Sequence, residues 1–498
     1  MDKNGVVTFS NWNKKGMQKH PLYGLGLVQN LEIFENKGLA SLAPKTTLQF
    51  SPSAFPIAME KDIYNNIYTA TAITGIGVVY KGSNIIQSGL SNIWDMKIWK
   101  DYLWVRHSTL LSAYGPLSAG ASAQWFGTVA SGFNGSYWGK LLVGQDDFLY
   151  AGNGNSVAKI TYSTGGTIGV APTVSTNLTA LDLKDGQFVT TLVEYGTKIM
   201  IATGGGAGYN DMGQNPNGKL YPWNRQLGTL GNPGLADLPV DFNENGIYQV
   251  ITHANRMFVV AGTLGNVYES DGTNYRKIAT LPVSKQGILS PIELFPNAIG
   301  ISNKGTLLIG VVSLGQYTKG GVYEIDISDP EFPCCLKNTI STGNIFSTAG
   351  RVGVGVIYNS DYQTLYIGWR DDASYGVDNT SFTLYTSYGG VIETELVPVG
   401  SYLKKKSFAH LEWCLSDPLV LGQNIRISYR KNNTEDYTLI GTWGFTTATG
   451  IKGLGSVLSF EDIAGIADCE YVQLKIELDQ AVSAIYGSNI NLISAKIW

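Results

Sequence analysis

Catalysis would require groups that attack, shuttle protons or hold a metal, and the sequence supplies few of them. Its four histidines are His20, His107, His253 and His410. None has the His-Glu-x-x-His spacing that sets two imidazoles on one helical face, and none accompanies a nucleophile motif. Each is therefore expected to be a solvated or hydrogen-bonded structural residue. No serine sits in a Gly-x-Ser-x-Gly elbow. Arg106, Arg225, Arg256, Arg276, Arg351 and Arg370 come without Ser-x-Asp-x-Gly-x-Thr-Trp boxes, so they read as ordinary surface or loop cations rather than a carboxylate-binding triad. Cys334, Cys335, Cys414 and Cys469 form neither a disulfide framework nor a metal-ligand spacing and are expected to be reduced, partly buried thiols.

Three weaker signals remain. "TGGGAGYNDMGQNPNGKL" (203–220) is glycine-rich, but a phosphate loop needs Gly-Lys followed by Ser or Thr, and Leu220 follows Lys219. "DFNENG" (241–246) opens like a calcium loop, with Asp241, Asn243 and Asn245 before Gly246, yet Thr252 stands where the bidentate Glu belongs. A polar turn is the expectation there. Asp182, Asp185, Glu194, Asp371 and Asp372 fall in expected loops, and two of them would serve glycoside hydrolysis only if they stood about 5–10 Å apart. Finally, Trp125, Phe126, Phe133, Tyr137 and Trp138 lie in an uncharged stretch. Flat rings among Gly, Ser and Asn suit a glycan or a protein partner, and they suit packing between repeats better.

The elements that would position these residues are strands. Charged residues make up 15% of the chain, against about 25% in an ordinary soluble domain, while 60 Gly and 28 Tyr favour turns and pleated sheets. A short unit recurs seven times: "NIYTAT", "YLWVR", "FLYAG", "KIMIA", "RMFVV", "TLLIG" and "TLYIG". Each is followed by a partner: "GVVYKG", "AQWFGT", "VAKITY", "GKLYPW", "GNVYES", "GGVYEI" and "FTLYTS". Such hairpins cannot cover their own faces, so the expectation is an all-β chain with a β-propeller of about seven blades over residues 46–394; six or eight blades would fit a misread unit. An inner strand is expected upstream of each unit, as in "SNIWDMKIW" and "GRVGVGVIY". Two-residue alternation in "NIRISYRKN" and "EYVQLKIELD" predicts a β-sandwich or jelly roll over 395–498. "SFEDIAGIADCE" is the one helical candidate, with Ser459 and Asp462 close to a capping box. Residues 1–45 form an extended N-terminal arm.

A net charge of −4 gives no basic field for a nucleic-acid backbone. No run of 18 apolar residues offers a membrane span, and the first twenty residues lack the apolar core of a signal peptide. Nothing in the motifs asks for a cofactor or a metal.

The segment "NWNKKGM…YGLGLVQNLEIFENKGLASLAP", ahead of a propeller and a terminal sandwich, resembles virion proteins of tailed bacteriophages, in particular short-tailed phage nozzle or tubular proteins. Asn30, Leu31, Ile33, Gly38 and Pro44 carry the likeness, and no nozzle insertion domain is visible. The resemblance implies a non-enzymatic, oligomeric tail subunit, assembled in a host cytoplasm. Its partners would be copies of itself and neighbouring virion proteins. The apolar arm residues Leu25, Leu27, Leu31, Ile33 and Phe34 would pair with a neighbouring subunit's sheet or with the chain's own last blade. A receptor- or glycan-binding adhesin on the same particle is the alternative, and a glycan hydrolase comes third.

Overall fold

Seven antiparallel units follow one another along the chain in a computed structural model. It describes residues 7–10, 27–29, 31–32, 40–42, 44–72, 76–136, 138–183, 186–204, 218–226, 236–281, 292–314, 320–327, 336–338, 352–360, 364–372, 374–385, 389–399, 406–419, 422–432, 436–444, 452–453, 458–480 and 491–497. Blade 1 is Phe55–Lys61, Ile67–Ala72, Gly77–Lys81 and Asn84–Leu90. Blades 2 to 5 repeat this four-stranded meander from Ile93, Leu141, Phe188 and Ile247. Blade 6 has an interrupted inner strand, Ile292–Glu293 then Ile299–Ile301, beside Leu307–Ser313, Gly321–Ile325 and Leu336–Asn338. In blade 7, Val352–Ser360, Thr364–Asp371 and Ser374–Tyr385 take their fourth strand, Pro44–Phe50, from before blade 1. The seven innermost strands touch in order, and that of blade 7 packs on that of blade 1. At this junction Lys61 N–H donates to Tyr358 Oη at 3.1 Å.

The recurrent units of the sequence are the second strands of the blades, with the inner strands just upstream as expected. One partner differs. "AQWFGT" falls in the fourth strand of blade 2, Gln124–Ser131, because Leu110–Gly115 intervenes. Strands of a meander alternate in direction, so first-to-second and third-to-fourth turns of every blade project from one face, the turn face. Second-to-third turns and the links between blades lie on the other.

A backbone device recurs that no residue type announces. The inner strands of blades 1, 2, 4, 5 and 7 each carry a register shift near their start: Pro56/Ala58, Ile93/Asp95, Val189/Thr191, Ile247/Gln249 and Val354/Val356. A bulge re-aims side chains and increases local twist. Polar side chains at these places tie one blade to the next. Thr190 reaches the Ile247 carbonyl, and Gln249 Nε2 donates to the Phe295 and Gly310 carbonyls at 3.0 Å each. Buried amides and hydroxyls are costly unless bonded, so these ties constrain how blades dock.

The C-terminal unit is a two-sheet sandwich. One sheet holds Lys406–Leu415, Leu458–Cys469 and Asn491–Ile497, and the other holds Gln423–Lys431, Thr438–Gly444, Tyr471–Gln480 and Gly390–Glu393. The alternation reads through: Ile425, Ile427, Val472, Leu474, Ile476 and Leu478 are buried. Trp413 and Trp443 meet between the sheets, ring centroids 5.5 Å apart. The same apolar core runs on into blades 5 and 6. The helical candidate is instead the strand Leu458–Cys469. Its hydrogen bonding along Lys406–Leu415 overrides a local helix signal weakened by Gly465.

The N-terminal arm pairs with its own chain. Val7–Ser10 and Ala40–Leu42 both edge Asn491–Ile497, Leu31–Glu32 pairs with Ala40–Leu42, and Leu27–Gln29 joins Gly390–Glu393. A single pair, Gln29 with Asn338, extends that sheet to blade 6. Val7 and Phe9 are buried in the sandwich core, a contribution of roughly 1.5–3 kcal/mol each. Pro44–Phe50, largely beyond the expected arm, completes the last blade, whereas Leu27 pairs with Glu393 and Leu31 with Leu42, not with that blade. Leu27 and Leu31 lie in arm strands, whereas Leu25, Asn30, Ile33, Phe34 and Gly38 fall outside the described residues.

Candidate functional site

The centre of the wheel sets charged side chains among aliphatic ones. A cavity of about 330 Å³ is lined from all seven innermost segments, including Glu60, Lys97, Lys140, Glu194, Thr252, Asn297 and Tyr358. Glu60, Lys97, Glu194, Thr252 and Tyr358 fall in the later halves of their strands, which places the cavity toward the turn face. Toward the opposite face, aromatic rings near the starts of the inner strands pack on one another. Trp138 stands 6.0 Å from both Trp94 and Phe295, centroid to centroid, and Phe295 meets Phe55 edge-on at 5.2 Å.

Local backbone delivers the charges. The bulge at Ile93/Asp95 turns Asp95, 1% exposed, onto blade 3, where Leu141 N–H donates to its carboxylate at 2.8 Å. The break in the blade 6 inner strand, with Pro296 unable to donate to a ladder, brings in Asn297. Asn297 Nδ2 donates to Asp95 Oδ1 at 2.8 Å and to the Ile57 carbonyl at 3.0 Å. Lys140 Nζ lies 3.4 Å from Asp95 and donates to the Asn297 amide oxygen. Lys97 pairs with Glu60. Blades 1, 2, 3 and 6 are thus joined through two carboxylates, two ammonium groups and one amide.

Burial pulls both lysines down, with different outcomes. For Lys97 the nearby Glu60 and Asp95 outweigh burial and hold the ammonium above its ordinary range. For Lys140 burial wins over Asp95, and its pKa is lowered. Burial also pushes the Glu60 carboxyl up, against the pull of Lys97. Beside the hub, Glu194 is engaged by the Arg225 guanidinium and accepts the Gln145 N–H at 2.9 Å.

Most residues singled out in the sequence have structural duties. Arg106 is a correction: it is fully buried, not a surface cation. Its guanidinium donates to the carbonyls of Ser108, Leu110 and Asn134 and lies 4.6 Å over the Phe133 ring, and burial lowers its pKa to about 9. His107 pairs with Ser112 Oγ at 2.7 Å, but the Ser112 hydroxyl donates to the Gly127 carbonyl. The imidazole is therefore the donor to serine, the reverse of what activates a nucleophile. Asp241 pairs with Lys219 at 2.8 Å, while Glu244 accepts from Asn266 and Tyr268, so these acids diverge instead of converging on an ion. Among the described residues no three His, Cys, Asp or Glu side chains gather as metal ligands.

The described rings of the aromatic stretch pack within the fold. Phe133 and Trp138 are buried, and Trp125 and Phe126 rest partly buried against blade cores; Tyr137 lies outside the described residues. Asp182 accepts from Ser156 at 2.8 Å. Cys414 and Cys469 are free thiols, the latter buried. Residues 205–217, Asp185, Arg351, Cys334 and Cys335 also lie outside the described residues. Sequence reasoning missed the hub. Asp95 and Lys97 sit inside the quoted strand "SNIWDMKIW", where an acid and a base amid large apolar residues were the available signal.

Bulged inner strands, a hub with charged side chains and a fourth blade strand supplied from upstream define the class: an all-β propeller protein with an appended sandwich. No family model matches the chain, and no curated protein matches it. Solved structures similar to it include the extracellular domain of a hybrid two component system from B. thetaiotaomicron, 11% identical over 80% of this chain and 45% of that one, with a TM-score of 0.43. A second such domain from B. thetaiotaomicron is 10% identical over 94% and 61%, with a TM-score of 0.47. Virginiamycin B lyase from Staphylococcus aureus is 10% identical over 69% and 99%, with a TM-score of 0.38. This chain therefore spans less than two thirds of either extracellular domain. None of the three is a virion tail protein, and none lends its activity to this chain. No helix among the described residues is long and apolar enough to cross a membrane.

Proposed function

We propose that this protein is a non-catalytic structural subunit of a tailed-phage virion that works through contacts made by the turn face of its propeller. The N-terminal resemblance supports the virion setting. The observation that carries the reading is the distribution of exposed apolar side chains. Ile63 is 87% exposed and Leu238 90% exposed, and Tyr64, Ile168, Val170 and Tyr275 are exposed too. All six lie in or beside first-to-second or third-to-fourth turns, hence on one face. Among the described residues the opposite face carries Ile76 and Leu314, while Ile85 lies beside a third-to-fourth turn and Leu48 and Leu439 lie on strands. Single exposed apolar residues are ordinary, and it is their concentration on one face among the described residues that supports a contact surface there. The partners are further copies of the chain and neighbouring virion proteins.

Native mass spectrometry of the purified chain, with negative-stain images, tests this. Closed rings or stacks are expected, and Ile63→Ser combined with Leu238→Ser dissociates them without lowering the melting temperature. A chain that remains monomeric at every accessible concentration, or an oligomer indifferent to the double substitution, overturns the reading.

A further inference from the structure

We propose that the hub cavity binds a small, uncharged, polyhydroxylated ligand of about one sugar ring. Ligand pockets span roughly 300–1,000 Å³, and the hub, at about 330 Å³, stands at the small end of that range. Glu60, Lys97, Glu194, Thr252 and Tyr358 lie in the later halves of their strands, so a ligand would enter from the turn face.

The wall chemistry selects the class. Glu60, Lys97, Lys140 and Glu194 line the cavity, Glu60 matched by Lys97 within the wall, while Asp95 and Arg225 stand behind it as the counter-charges of Lys140 and Glu194. A free anion meets a carboxylate beside each ammonium, and a divalent cation meets an ammonium beside each carboxylate, so neither gains a net field. A hydroxyl differs, because it accepts from an ammonium while donating to a carboxylate. Neighbouring hydroxyls on one ring therefore suit a wall that presents both carboxylates and ammonium groups, with the aliphatic lining taking the ring's apolar face and Thr252 adding an uncharged contact.

Stability alone does not account for this arrangement. Replacing buried ion pairs by well-packed apolar side chains is commonly neutral or stabilising. A wheel selected only for rigidity would have no need of charges at its axis. This one sets Glu60, Lys97, Lys140, Glu194 and Asn297 among aliphatic side chains around an open volume, with an interrupted strand at Pro296–Asn297 and a bulge at Asp95 holding the polar ties.

Saturation-transfer NMR on the full chain tests the proposal with D-glucose, D-galactose, D-mannose and N-acetylglucosamine. Inorganic phosphate and calcium, titrated by calorimetry, serve as charged probes. At least one sugar is expected to bind saturably. Thr252→Phe fills the cavity without touching an ion pair, and it should weaken that binding about tenfold or more, as should Lys97→Met, which removes a charged hydrogen-bond donor. If Lys97→Met fails to fold, Thr252→Phe, verified by its melting curve, still decides. No saturable sugar binding, sugar binding unchanged in Thr252→Phe, or saturable phosphate or calcium binding that Thr252→Phe abolishes would each overturn the proposal. The inference is independent of the assembly reading: Ile63→Ser with Leu238→Ser leaves sugar binding unchanged.

Discussion

Asp95→Ala measures how much the hub holds the wheel together. Asp95 is 1% exposed and accepts from Leu141 N–H and Asn297 Nδ2, both at 2.8 Å, with Lys140 Nζ at 3.4 Å. Hydrogen bonds to a charged group contribute roughly 1.5–3 kcal/mol each, which puts the two short ones at about 3–6 kcal/mol. Removing one partner of a buried pair costs about 3–5 kcal/mol, because the other charge is stranded. Both routes agree on about 3–5 kcal/mol. The control is Asp237→Ala, whose partner Lys198 lies 2.6 Å away in a pair with both side chains more than 40% exposed. Water and salt screen such a pair, and it is worth about 0–1 kcal/mol. Urea unfolding followed by tryptophan fluorescence reads the difference, since Trp94 and Trp138 flank the hub. An Asp95→Ala loss no larger than that of Asp237→Ala would refute the view that inter-blade ties at the axis stabilise the ring.

Three further outcomes follow from single sites. Burial, then the adjacent Arg106 charge, lowers His107 from 6.5 to about 4. Between those values the unfolded chain binds a proton that the folded chain refuses, so stability present above pH 6.5 falls as the pH drops toward 4, by roughly 3 kcal/mol. His107→Gln should flatten that part of the wild-type slope in urea midpoints, and an identical slope would contradict the assignment. Phe9→Ala, at a side chain 1% exposed, should cost about 3–5 kcal/mol and lower the unfolding transition of the sandwich, detectable by calorimetry. In Gly355→Ala the new Cβ would stand 2.4 Å from the Pro56 carbonyl oxygen, forcing blade 7 away from blade 1. A loss of about 1–3 kcal/mol is expected, and a neutral result would mean that this junction is looser than described.

The repeated hairpins were legible because the second strand of each blade is a near-continuous apolar run, as in "YLWVR" and "RMFVV", and their number gave the seven blades. The sandwich was legible where one face is half-polar, as at Ile425, Arg426 and Ile427. What escaped were features decided by partners distant in sequence. Leu458–Cys469 carries local helix signals and becomes a strand because Lys406–Leu415 offers it a ladder. Arg106 reads as a cation in a loop, and its burial depends on carbonyls at Ser108, Leu110 and Asn134 that no spacing rule brings together. The hub was invisible for the same reason: Glu60, Asp95, Lys97, Lys140 and Asn297 come from four blades and meet only when the ring has formed.

The arm changes what kind of assembly this chain can enter. Pro44–Phe50 precedes blade 1 yet completes blade 7, while Val7–Ser10 and Ala40–Leu42 edge the strand Asn491–Ile497. Donating the arm to a neighbouring copy would therefore open the last blade and the sandwich together, giving up the ladder hydrogen bonds of both and exposing Val7 and Phe9. Exchange between copies could return those contacts only after both molecules had opened, so it is disfavoured kinetically even where it is balanced in equilibrium. Edge-strand pairing is consequently the weaker route to an oligomer. Contacts through preformed turns such as Ile63 and Leu238 demand no opening at all, which is why the assembly reading rests on the turn face and not on the segment that first suggested it.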